Sequence, residues 1–253
     1  MSKPFVLVLA ALALGCASPG RSPQQVAEHK SRTHYDMGSN HLAAGRTAVA
    51  LREFLAAERI TPDDPWIHHG LAEAYRRKGR LEDSERHLLR ALELRTDFHE
   101  ATLNLSALYI QMERYDESAA LAARLVEDPT FPAPWRAYTN QGWALLKLGR
   151  QADARRALSL AIDHHPSYWP ALLNLGILEA EAGRPLEALS LLERVLEIGP
   201  GGGPEAEVNY RVAEIHVRLG NRDDAVRHLT AAADGPSRSP WVKQSGDYLK
   251  LLQ

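Results

Sequence analysis

Residues 169–200 read WPALLNLGILEAEAGRPLEALSLLERVLEIGP, and residues 65–96, in the same register, read PWIHHGLAEAYRRKGRLEDSERHLLRALELRT. Each stretch is a pair of apolar-periodic segments broken at the centre by a Gly-Arg dipeptide, Gly183-Arg184 in one and Gly79-Arg80 in the other. The dipeptide recurs as Gly45-Arg46 and Gly149-Arg150, nearly so as Gly220-Asn221, and Glu113-Arg114 fills the one gap. The spacings between these positions are 34, 34, 36, 34 and 37. A period near 34 residues marks an array of helix-turn-helix units, with glycine in the turn because a left-handed backbone is favoured there.

Two helices that pack side by side need small residues where they approach and bulky ones along the seam. A small residue stands seven positions before every turn (Gly38, Ala72, Ser106, Gly142, Gly176, Ala213) and another five positions after it (Ala50, Ser84, Ser118, Ala154, Ala188, Ala225). Leu71, Leu105, Leu175, Phe54, Leu88, Leu158, Leu192 and Leu229 are spaced to fill the seam. Pro62, Pro166 and Pro200 fall seventeen residues after their glycines, where a missing backbone donor ends the second helix; Thr96, Thr130 and Ser237 take that place elsewhere. An unrelated helical bundle would also be apolar-periodic, but its turn signals would not agree in phase.

The pattern resembles the tetratricopeptide repeat (TPR) from about Ser31 to Ser239, with repeats two, four and five matching well. That resemblance implies an all-α fold, a right-handed TPR superhelix (α-solenoid) of about six helix-turn-helix repeats. The expected repeats are about 31–64, 65–98, 99–132, 135–168, 169–202 and 206–239, within a unit spanning 26–239 that a helix around Val26 to Tyr35 opens. Residues 240–253, with Trp241, Tyr248, Leu249 and Leu252, are expected to form a C-terminal capping helix over the last repeat. Extra residues within Asp128 to Pro134 and within Gly199 to Pro204 read as joints between repeats. The second joint is glycine-rich but lacks the Lys and Ser/Thr that a phosphate loop needs.

The chain has 253 residues, 45% hydrophobic and 25% charged, with a formal net charge of −2. Acids and bases are interspersed, so nothing tracks a nucleic-acid backbone. Residues 1–15 read as a signal peptide: Lys3 supplies the positive charge and Phe5 to Leu14 an apolar run too short to span a bilayer. Cys16, the single cysteine, follows directly, and Ala13-Leu14-Gly15-Cys16 resembles a bacterial lipobox, with Leu two residues before the Cys instead of the usual three. The resemblance implies lipidation of Cys16, several acyl chains that hold the protein on a membrane, and a small, polar tether over 16–25. Ala17 stands where an inner-membrane retention Asp would be, so an outer-membrane lipoprotein with its TPR domain in the periplasm is expected.

No catalytic constellation is legible. There is no Gly-x-Ser-x-Gly turn, no cysteine apart from Cys16, and no His pair at i, i+4 with a Glu beside it. His68-His69 and His164-His165 are adjacent and point apart on a helix, and His34 and His41 suit packing. The expectation is therefore a protein that is not an enzyme, with no metal, no cofactor other than the lipid on Cys16, no small-molecule substrate and no nucleic-acid partner.

In TPR arrays the first helix of each unit lines a concave groove through positions 2, 5, 9 and 12 of the repeat. Here those positions give Tyr35, Leu42, Trp66, His69, Leu103, Ala107, Ile110, Trp143, Leu146, Leu173 and Ile177 as candidate partner-binding residues. They form an apolar stripe suited to an amphipathic helix or an extended strand, unless neighbouring first helices consume it by packing on each other. Glu73, Arg76, Arg77, Lys147, Glu181, Glu214 and Arg218 read as its polar rim.

A lipobox, a short tether, six TPRs, Phe131-Pro132 after repeat three and Asn140-x-Gly142 in repeat four together resemble the type IV pilus pilotins, the PilF/PilW/Tgl group, and within it most of all Tgl of social-gliding bacteria. The resemblance implies an outer-membrane secretin subunit as protein partner, assembly and multimerisation of that secretin as the task, and twitching or social motility as the outcome. Two alternatives stay open: a TPR lipoprotein adaptor of another envelope machine, such as β-barrel assembly or activation of a cell-wall synthase, and a hydrolase carried on a helical scaffold.

Overall fold

The computed structural model describes residues 22–236 and 238–252; the expected signal segment, Cys16 and Ser237 lie outside them. Among the described residues are thirteen α-helices and no strand: α1 (Pro23–Ala43), α2 (Thr47–Glu58), α3 (Pro65–Arg77), α4 (Leu81–Leu94), α5 (His99–Gln111), α6 (Tyr115–Glu127), α7 (Pro134–Lys147), α8 (Gln151–His164), α9 (Trp169–Glu181), α10 (Pro185–Ile198), α11 (Gly202–Leu219), α12 (Arg222–Ala233) and α13 (Pro240–Leu252). The chain is the all-α solenoid that the repeat period predicts. Six consecutive pairs, from α1 on α2 to α11 on α12, stack one after another, and α13 packs on α12 and α11.

One backbone device makes every pair. The turn glycines Gly45, Gly79, Gly149, Gly183 and Gly220 hold φ between 71° and 78°, the left-handed region. The next residue donates its N–H five residues back: Arg46 to His41 O, Arg80 to Tyr75 O, Arg150 to Leu145 O, Arg184 to Glu179 O and Asn221 to His216 O, all 2.8–3.0 Å. This satisfies a carbonyl that the helix end would otherwise orphan. The same residue's own carbonyl then accepts the first intrahelical hydrogen bond of the second helix, as Ala154 N to Arg150 O at 2.9 Å. Glu113, where glycine is missing, takes the identical conformation with φ 59°, and Arg114 N reaches Tyr109 O at 2.8 Å.

Helix starts follow local chemistry. Ser22 and Gln25 exchange side-chain and backbone hydrogen bonds (3.2 and 2.9 Å) in a capping box ahead of Pro23, and Asp64 caps α3 through Trp66 N at 2.8 Å. That box and Pro23 start α1 earlier than its apolar pattern suggests, so Pro23, Gln24 and Gln25, read as the end of a tether over 16–25, belong to the helix. At the glycine-rich joint, α11 starts at Gly202, so Gly203 and Pro204 occupy its first turn and are not part of a loop.

The small residues before the turns work as close-approach points. A Cβ on Gly38 would stand 2.7 Å from the Phe54 ring, one on Gly142 2.6 Å from Leu158 Cγ, and one on Gly176 2.9 Å from Leu192. In the third pair Ser106 replaces glycine and donates to Ser118 O at 3.2 Å. The core is divided along the array. Phe54 and Leu71 centre one cluster, Phe98 and Leu105 the next, Phe131 and Leu125 a third, and Leu158, Leu172, Leu178 and Leu192 the largest, which runs on to Val208 and Val212. Each fully buried Leu or Phe contributes roughly 1.5–3 kcal/mol, so each cluster stabilises both the pair it sits in and the joint to the next one. At the C-terminal end Trp241 and Tyr248 stand 5.2 and 6.2 Å from the Tyr210 ring, fixing α13 against α11.

Candidate functional site

The odd-numbered helices share one face of the array: α1 touches α3, α5 touches α7, α7 touches α9 and α9 touches α11. The candidate groove residues all lie on that face, and the packing sorts them. Leu42, Leu103, Leu146, Leu173 and Ile177 are buried, with Ile177 only 5% exposed, because adjacent first helices close over them. A continuous apolar stripe open to water is thus not what the face presents. Leu146, Leu173 and Ile177 belong to the largest core cluster, Leu103 to the cluster around Phe131, and Leu42 to that around Phe54.

Solvent reaches Trp66, which is 37% exposed, and in part Tyr35, His69, Ala107, Ile110 and Trp143. Trp66 lies edge-on to Phe98, ring centroids 4.5 Å apart, and the Arg95 guanidinium sits 5.8 Å from it. His69 packs 5.2 Å from Phe98 and accepts at Nε2 from Asn104 Nδ2 at 2.8 Å; burial lowers its pKa, which keeps that acceptor lone pair free. Trp143 carries the Lys147 ammonium 4.5 Å over its ring. Tyr35 leans on Phe54 at 5.8 Å, and burial raises its hydroxyl pKa.

The rim is ordered by ion pairs. Glu73 accepts from Arg76 (2.8 and 2.9 Å) and from Arg77 (2.8 Å), and Arg77 also donates to Leu42 O of the preceding pair at 2.7 Å. Burial alone would raise the Glu73 carboxyl; the hydrogen bonds from the two arginines outweigh it and hold the pKa below the usual range. Between α9 and α11, Ile177, Glu181, Arg211, Glu214 and Arg218 surround a small pocket of about 110 Å³.

Sequence reasoning noted Asn140 only as a family mark and missed that amides tie these helices together. Asn140 Nδ2 donates to Leu103 O at 3.4 Å, as Asn104 does to His69. The signal was present: Asn104, Asn140 and Asn174 each stand nine residues before their turn, and all three are half-buried. Phe98 was missed as well, since it precedes its helix and carries no periodic mark.

A tetratricopeptide-repeat profile matches residues 35–98, 103–167 and 139–203, and a second profile of the same description matches 179–240. Tetratricopeptide repeat protein 8 of Caenorhabditis elegans is 27% identical over 121 residues, 48% of this chain; the chain spans only 24% of that relative's length. Among solved structures, PilW, described as a widely conserved type IV pilus biogenesis factor, superposes with a TM-score of 0.74 at 20% identity over 85% of this chain and 97% of its own. PilF of Pseudomonas aeruginosa gives 0.71 at 15% identity over 88% and 99%. Cut9, in the APC/C complex Cut9-Hcn1, gives 0.76 at 16% identity, but over 92% of this chain and 44% of its own. At these identities the superpositions speak for the fold. With profile matches over more than half of its length and one left-handed turn repeated through six helix pairs, the chain belongs to the tetratricopeptide-repeat family.

Proposed function

We propose that this chain is an outer-membrane lipoprotein that serves as the pilotin of a type IV pilus, a non-enzymatic TPR scaffold that holds a secretin subunit while the secretin multimerises, and that it is closest in role to Tgl of social-gliding bacteria. The observation that carries the reading is mutual coverage: the superpositions on PilW and PilF take in 85% and 88% of this chain as well as nearly all of theirs. The solenoid matches PilW and PilF over 97% and 99% of their chains, whereas it matches less than half of Cut9.

Chemistry and reach favour the same role. Ser22, the cap of α1, stands six positions after Cys16, a span of at most about 22 Å when fully extended, so lipid on Cys16 would keep the first repeats beside the membrane. The partner segment would meet aromatic anchors, Trp66 and Trp143, on the face where Asn104 and Asn140 tie neighbouring first helices together. Aromatic side chains at the centre of a contact commonly dominate its energy, so a short segment with two or three apolar anchors suits this face.

The test is a deletion followed by immunoblotting for heat-resistant secretin multimers, with complementation by wild type and by Cys16→Ala. Loss of multimers with secretin monomer still present, restored by wild type and not by Cys16→Ala, supports the proposal. Unchanged multimers and pili would overturn it and leave the adaptor of another envelope machine.

A further inference from the structure

Three side chains from three helices meet where the first helix pair joins the second. Glu58 is the last residue of α2, His68 lies in the first turn of α3, and His87 lies midway along α4. His68 Nδ1 is 3.0 Å from His87 Nδ1 and 3.6 Å from Glu58 Oε1, and His87 Nδ1 is 3.9 Å from the same oxygen. These atoms form a compact triangle of two nitrogens and one carboxylate oxygen.

We propose that Glu58, His68 and His87 bind a divalent cation of the zinc class, which fastens the first repeat to the second. A tetrahedral ion with ligand bonds of about 2.0–2.1 Å sets its ligands about 3.3 Å apart, and the three edges of 3.0, 3.6 and 3.9 Å lie around that value. A nitrogen-rich set selects zinc-like metals over magnesium or calcium, and three protein ligands leave the fourth position to water.

The surroundings prepare the nitrogens. His68 Nε2 donates to Pro62 O at 2.8 Å, which places its proton away from the triangle and leaves the Nδ1 lone pair pointing in. A backbone carbonyl on the far nitrogen is the usual outer partner of a metal-bound imidazole. His87 is held between the Tyr75 ring, 5.3 Å away at 14°, and the His68 ring, 5.2 Å away at 27°, so its plane is set. Both histidines are buried, and burial, with His68 and Arg86 adding to it, pushes His87 down to about 4. The contact between the two Nδ1 atoms needs one donor and one acceptor, so the pair already presents a free imidazole lone pair, the form that ligates. Without an ion the His87 Nδ1–H donates to His68 Nδ1. Ligation moves that proton to Nε2 of the same ring, with no net change in charge on the protein. Glu58 is half-exposed and leaves a path for the ion to enter.

Pro62 lies in the α2–α3 connection, so the ion would hold α2, α3, α4 and their linker together. This site does not depend on the pilotin reading. Its test uses the full chain in detergent with the Cys16 sulfur blocked, by its own lipid or, in unlipidated protein, by alkylation, stripped with a chelator and titrated with Zn²⁺ alone by calorimetry, and with Co²⁺ by visible absorption. The expected result is one high-affinity equivalent, tetrahedral cobalt bands, and a rise in the thermal midpoint. Glu58→Gln and His87→Gln should each weaken binding about ten-fold or more. Ring-nitrogen NMR should show the Nδ1 resonances of His68 and His87 moving on zinc addition. If His87→Gln does not fold, as judged by circular dichroism, Glu58→Gln and the NMR shifts decide. Absence of binding, binding unaltered in folded Glu58→Gln, or shifts confined to other histidines would overturn the proposal and leave a hydrogen-bonded pair.

Discussion

Leu158 Cγ lies 2.6 Å from the point where a Cβ on Gly142 would stand, and the Ala154 carbonyl lies 3.2 Å from it. The fourth helix pair leaves no room for a Cβ at this point, and the absence of a side chain at Gly142 is what permits the contact. Gly142→Ala should lose about 1–3 kcal/mol to overpacking and regain about 1 kcal/mol of helix propensity, for a net loss near 1 kcal/mol. Gly246, in α13, has nothing within 4 Å of its Cβ position, so Gly246→Ala should stabilise by up to about 1 kcal/mol. Urea denaturation of the two variants should show midpoints moving in opposite directions; the same direction for both would count against the close-approach argument.

Glu113 holds the turn conformation that glycine holds in the other five pairs. A left-handed backbone costs a residue with a side chain about 1–2 kcal/mol, partly offset because glycine has more freedom to lose on folding. Glu113→Gly should raise stability by about 1 kcal/mol, read from the same denaturation curves.

Asp128 organises the joint after α6. Its Oδ1 accepts from Thr130 Oγ1 (2.7 Å) and Thr130 N (2.8 Å), and its Oδ2 accepts from His99 Nε2 (2.8 Å). Those bonds, Thr130 first, lower its pKa to about 2. Since the folded value lies below the unfolded one, the contribution is complete above about pH 4 and is lost as pH falls through about 2. Asp128→Asn should flatten the decline in denaturation midpoint across that window while leaving the behaviour above pH 5 parallel to wild type. An unchanged acid limb would show that the joint does not draw on this carboxylate.

The candidate groove divides into core and contact. Leu173→Ala should cost about 2–5 kcal/mol, because Leu173 is buried in the largest cluster. Trp66→Ala should cost about 1 kcal/mol, the size of its aromatic contact with Phe98, yet abolish secretin multimers in the complementation assay. If Trp66→Ala folds and complements fully, Trp66 is not a partner contact.

The turn positions, the small residues seven before and five after them, and the all-α class were legible in the sequence, because each depends on residues at short range along one chain. The groove was legible only as a face. Leu103, Leu146, Leu173 and Ile177 stand at the expected positions, but whether such a residue meets solvent or the next repeat depends on how far apart neighbouring first helices lie. No single-helix periodicity carries that distance.

The histidines make the same division sharper. Taken along a helix, His68 and His87 are nineteen residues apart and carry no ligand spacing. In the fold a residue on a first helix faces one nineteen later on its second helix, as in His34 with Glu53 and Asn209 with His228. By itself, then, the amino-acid sequence determined the repeat, its turns and the residues that let helices approach, since backbone conformation and side-chain size are local properties. Only the tertiary structure decided which apolar side chains remain open and which imidazoles meet a carboxylate, since both depend on the separation of helices that the chain brings together from different repeats.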